Sequence, residues 1–215
     1  MSQGAKPTHQ SRSRKTRDKL LNALEHLLKE KDFVNVSVAE IATKAGVSSA
    51  SIYRRFDKKE GFIPVLFDLY IERLNEWAAS PAAQLDIEGL SLREALQALT
   101  ATAWRQIIEH AHMMRAMHLH GRNNKIGMFE KLAAFEEGTL AGMKALIGHY
   151  APEVKRAQND TTARMLAYYL NNIMLERGLF NQKGACFGLT LTDTEFTNEI
   201  ADFAYGYLTL EPFAA

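Results

Sequence analysis

The sequence predicts an all-α protein in two parts. These are an N-terminal three-helix helix-turn-helix domain over residues 1–60 and a larger helical domain over 61–215. Three observations carry this. Apolar residues recur at helical spacing almost throughout, with no run that alternates as a strand would. The stretch from Ser37 to Phe56 has the caps and small residues that a steep helix crossing needs. Charge is also lopsided: residues 1–60 hold 13 Lys/Arg and 7 Asp/Glu, net +6, while 61–215 hold 13 and 18, net −5. A basic first quarter on an acidic remainder suits a module that faces a polyanion.

The elements follow in order. Leu20, Leu21, Leu24, Leu27 and Leu28 recur at helical spacing after the basic run "SRSRKTRD". Ser37 then opens a second helix, with Glu40 placed to reach back and complete a capping box. Val38, Ile41, Ala42 and Ala45 form its inner face, and Gly46 stops it by taking a positive φ. A third short helix is expected from about Ser48 to Arg55, with Ile52 and Phe56 inward. Asp57 and Glu60 repeat the capping logic for a long fourth helix to about Ala79, which Pro64 in its second turn should bend. After the connector "SPAAQLDIEG", a helix from Ser91 buries Leu92, Leu96 and Leu99. The segment "HAHMMRAMHLHGRNN" suggests a short helix or a bend. Further helices are expected over about 126–149, 162–182 and 193–210. The helix at 162–182 is apolar on two faces, Met165, Tyr169 and Ile173 on one and Leu166, Leu170 and Met174 on the other. Such a helix needs cover on both sides. In the last helix Phe196, Ile200, Phe203, Tyr207 and Leu208 read as inward.

Composition narrows the function. One cysteine, Cys186, excludes an intramolecular disulfide and makes a reducing cytoplasm the expected home. The N-terminus lacks the apolar core of a secretory signal, and no apolar run approaches the roughly 20 residues of a membrane span. No partner in a membrane and no cofactor is expected.

The spacing inside 37–56 has physical content. Ala42 is small where two helices touch, Gly46 sits four residues on where the chain must turn, and Ile52 plugs the core six residues later. The string "VSVAEIATKAGVSSASIYRRFDKKEGFI" resembles the signature of the TetR family of transcriptional regulators, and the match is specific over about residues 14–75. It departs in "EKDFVN", where the family usually has a glycine, and at Pro64. The resemblance implies a dimer whose subunits pair a DNA-binding domain with an effector-binding domain, the helices at 162–182 and 193–210 forming a four-helix interface. It also implies a homodimer on a palindromic, double-stranded DNA operator, repressing until a small-molecule effector releases it.

Residue by residue, the resemblance puts Ser48, Ser49, Ala50 and Ser51 at the front of the helix that enters the major groove. Serines bond donor or acceptor edges alike, Ala50 suits a thymine methyl, and Arg54 and Arg55 are able to grip guanine or phosphate. Tyr53, Lys59, Lys58 and Ser37 are expected at phosphates. Arg14, with Arg12, Lys15 and Arg17, is expected in the minor groove or along the backbone.

The effector domain has no motif that names a ligand. Trp104, Met113, Met117, Phe135 and Tyr168 can line an apolar cavity, with His110 and Asn172 as polar contacts. The same residue types also make plain core. The alternative reading is a metal sensor or metalloenzyme built on His110, His112, His118 and His120. Histidines at i,i+2 point to different sides of a helix, which weighs against it.

Overall fold

Eight α-helices occupy a computed structural model that describes residues 9–123, 129–180 and 188–212. They are α1 (His9–Glu30), α2 (Val38–Ala45), α3 (Ser49–Tyr53), α4 (Phe62–Ala78), α5 (Leu92–Asn123), α6 (Phe129–His149), α7 (Asp160–Leu175) and α8 (Asp193–Thr209). No strand occurs among the described residues. The all-α class read from periodicity is therefore the observed one. None of these helices is long and apolar enough to cross a membrane.

The described residues form two compact units. The first ends at Tyr70 and takes in α5 from His112 onward. The second starts at Ile71 and holds α5 up to Ala111, together with α6, α7 and α8. In the first unit, Leu20, Leu24 and Leu28 of α1, Ile41 and Ala42 of α2, Ile52 of α3 and Phe62, Ile63 and Leu66 of α4 are buried. Each large apolar side chain so buried contributes about 1.5–3 kcal/mol. In the second unit one core gathers Leu96, Trp104 and Ile107 of α5, Ile147 of α6, Leu166, Leu170 and Met174 of α7 and Ile200, Ala204 and Leu208 of α8. Inside it the Thr100 hydroxyl donates to the Thr197 carbonyl at 3.0 Å, so a polar side chain is buried with its partner.

Several boundaries differ from the sequence expectation. The third helix stops at Tyr53, and Arg54 is its C-cap. The Arg55 amide closes on the Ile52 carbonyl at 2.8 Å, which tightens the last turn and ends the helix. Asp57 does not cap the fourth helix. A 3-10 turn, Lys59–Gly61, intervenes with no side-chain cap bond, and α4 begins at Phe62. Pro64 consequently falls in the first turn of α4, where a missing N–H breaks no helical bond. Gly61 lets the chain pass Phe56 closely, since a Cβ there would lie 3.2 Å from its ring. The histidine-rich segment is no bend but the end of the continuous α5. Phe203 does not point inward either, being 64% exposed on α8.

Candidate nucleic-acid interface

The first unit builds the α2–α3 helix crossing from local rules. The Ser37 hydroxyl accepts from the Glu40 amide at 3.2 Å, and the Glu40 carboxylate accepts from the Ser37 amide at 2.9 Å and its hydroxyl at 2.8 Å. This is the predicted capping box. Lys31 also pairs with Glu40. That ammonium first, then the Ser37 amide and hydroxyl, lower the carboxyl from 4.5 to about 2. At the other end of α2, Gly46 sits at φ 65°, ψ 38°. Its amide reaches the Thr43 carbonyl at 3.2 Å, and the Val47 amide reaches the Ala42 carbonyl at 3.0 Å. Ile52, 1% exposed, plugs the crossing.

The outward face of α3 carries the expected reading residues. Ser48 caps the helix by accepting from the Ser51 amide at 3.3 Å. Ser48 and Ala50 are exposed, Ser49 and Ser51 half-buried, and Tyr53, Arg54, Arg55 and Lys58 exposed. An Arg54 Nη2 donates to the Ser51 hydroxyl at 3.0 Å, and that hydroxyl lies 3.0 Å from the Ser48 hydroxyl. The guanidinium therefore folds back toward the front of the helix, the direction helical side chains favour. Arg14, Lys15 and Arg17 are exposed on α1.

Two expected phosphate groups are engaged within the protein. The Ser37 hydroxyl proton goes to Glu40. Lys59, half-buried, donates to the carbonyls of Phe33 (2.9 Å), Val34 (3.1 Å) and Val36 (3.0 Å), which occupies all three of its protons. Its Nζ also stands 4.8 Å from the centre of the Phe33 ring. No local pattern announces this, because the partners lie 23 to 26 residues away.

The expected effector residues fall in both units and differ in burial. Trp104 and His110 are buried in the second unit, whereas Met113 and Met117, equally buried, belong to the first. Tyr168 is 66% exposed, Phe135 is exposed, and the exposed Asn172 donates along its own helix to the Tyr168 carbonyl at 2.7 Å. One cleft is lined by Lys144, Ile147, Gly148, Gln158, Asn159 and Asp160, another by Leu27, Ala39, Glu40, Thr43 and Lys44. Neither includes an expected effector residue. The indole N–H of Trp104 is buried without a partner. Beside it α7 ends in a π-helical turn, Glu176–Phe180, where a Cβ on Gly178 would meet Ile107 at 3.0 Å.

One histidine of the metal reading, His112, has a carboxylate partner within the protein. His112 Nε2 lies 3.3 Å from Glu25, both largely buried, and Arg115 lies 3.3 Å from Asp32. Both contacts tie α5 to the α1 region within the first unit. Among the described residues no three of His, Cys, Asp and Glu gather at metal-holding distance. Cys186 and the side chain of Arg12 lie outside the described residues.

With this geometry in place, comparisons with known proteins converge. Residues 20–64 match the family model for bacterial regulatory proteins, tetR family. The TetR family transcriptional regulator PfmR from Thermus thermophilus superposes with a TM-score of 0.58 at 19% identity, over 86% of this chain and 96% of that one. The fatty acid degradation regulator FadR from Bacillus halodurans gives 0.58 at 19% identity, over 88% and 97%. FadR from Bacillus subtilis, solved with stearoyl-CoA, gives 0.56 at 16% identity, over 89% and 98%. At such identities the likeness is one of fold. A search of curated protein sequences returned no match. The likeness to the tetR family of bacterial regulatory proteins thus rests on residues 20–64, and beyond them it is a likeness of all-helical fold.

Proposed function

We propose that the protein is a ligand-responsive, DNA-binding transcriptional regulator of the cytoplasm, not an enzyme. In this reading it is a homodimeric repressor on a palindromic operator, released by a small apolar or amphipathic effector. The observation that carries it is the outward face of α3. Small polar side chains sit at its front, an arginine is held over them, and the helix behind is locked by a capping box and a left-handed glycine. Arg54 is the candidate for a base edge. Tyr53, Arg55, Lys58 and Arg14 are candidates for phosphate, where they would fix register without reading sequence.

The dimer reading is supported by the second face of α7 and by α8. Met165 is 49% exposed, and Tyr168 and Phe203 are exposed more fully still, an apolar surface that a second copy would cover. The effector reading is supported by Trp104, whose unpaired N–H asks for an acceptor in otherwise apolar surroundings. The solved FadR complex with stearoyl-CoA makes long acyl groups the first effectors to try. Fluorescence anisotropy of a bound operator duplex tests the coupling. Long-chain acyl-CoA or a free fatty acid should lower operator affinity at least fivefold. If titration through a panel of amphipathic ligands leaves affinity unchanged, effector control by such compounds is wrong.

A further inference from the structure

We infer that Lys59 is a positioning residue for DNA reading, acting through the backbone it clamps rather than through contact with phosphate. The inference rests on the DNA-binding function proposed above. The connection between α1 and α2 is a single 3-10 turn, Phe33–Asn35. Within it the Asn35 amide closes on the Asp32 carbonyl and the Val36 amide on the Phe33 carbonyl. The Lys59 ammonium gathers the Phe33, Val34 and Val36 carbonyls from the 3-10 turn Lys59–Gly61 that precedes α4, 23 to 26 residues later. Hydrogen bonds to a charged donor are the strong kind, and this donor is half-buried.

The clamp has a direct line to the reading face. Val36, 2% exposed, immediately precedes Ser37, the N-cap of α2. Fixing its carbonyl fixes where α2 begins. The Gly46 turn then carries that orientation to α3. To reach a phosphate, the ammonium would first have to release three carbonyls. Lys58 beside it is exposed and makes no side-chain capping bond to the turn it precedes. Phosphate attraction in this corner accordingly falls to Lys58 and position-setting to Lys59.

Two variants separate these roles on a duplex that the wild-type protein binds. Lys59→Arg keeps the charge, and a guanidinium binds phosphate well, but its planar fork does not match three converging carbonyls. Lys59→Met keeps the stem and removes the charge. Affinity is measured at low temperature, against salt, for the preferred duplex and for an unrelated one, with circular dichroism reporting the folded fraction. The inference expects both variants to lose roughly tenfold on the preferred duplex. It also expects both to keep unrelated-duplex affinity and the wild-type salt slope. If Lys59→Arg binds as the wild type does and Lys59→Met flattens the slope by about 0.9, Lys59 contacts phosphate and the inference fails. It also fails if the folded variants bind normally and only their melting temperature drops. A wild-type protein that binds no duplex strikes the DNA-binding reading itself, a result distinct from either.

Discussion

Arg54 shows how much a single side chain's setting matters. The sequence places it behind four small residues. The structure turns its guanidinium forward, onto the Ser51 hydroxyl at 3.0 Å, with Ser48 next in line. A preorganised arginine loses less rotamer freedom when it docks, and a bidentate grip on guanine discriminates by about 1–3 kcal/mol. Arg54→Ala should therefore relax preference at one base position while leaving the salt slope nearly intact. Ser51→Ala should loosen that same position more mildly, because it frees the guanidinium. Binding to a set of single-base operator variants checks both. If Ser51→Ala instead alters a different position, Ser51 reads a base on its own account. The residue types on this face were legible in the sequence. The contacts among them were not, since i,i+3 bonds between exposed side chains depend on rotamers that composition does not fix.

At the scale of elements, what could be read early was whatever local chemistry decides. Ser37 with Glu40, Gly46 and Ile52 all stand where their types require. Gly46 gives a clean test. A Cβ there would meet nothing within 4 Å, so Gly46→Ala carries only the conformational cost of φ +65°. Equilibrium denaturation should show a loss of about 1–2 kcal/mol. A neutral substitution would mean that the turn does not hold the left-handed conformation. Where the sequence reading went astray, long-range partners decided the outcome. Asp57 has the right type for a cap, yet the chain there closes a 3-10 turn around the Lys59 clamp. The histidine-rich stretch suggests a short helix or a bend from sequence. His112 is satisfied by Glu25, 87 residues away, and α5 continues unbroken. Phe203 looked like core from its spacing, and only the packed helices reveal that its side of α8 is open.

For the whole molecule, the charge asymmetry and the helical periodicity suggest a basic N-terminal module and a helical remainder, while the first compact unit runs on to Tyr70 and takes in α5 from His112. The effector site was not legible. Its expected residues are scattered between buried and exposed positions, since apolar types at helical spacing report burial and not cavity. The central claim is that a symmetric pair of these chains reads DNA through α3. The most direct test is selection of bound duplexes from a random pool by the purified protein. The account predicts enrichment of an inverted repeat whose half-site centres lie about 34–36 Å apart or a multiple of that. A pool that stays random, or one that converges on a lone asymmetric site, would contradict it.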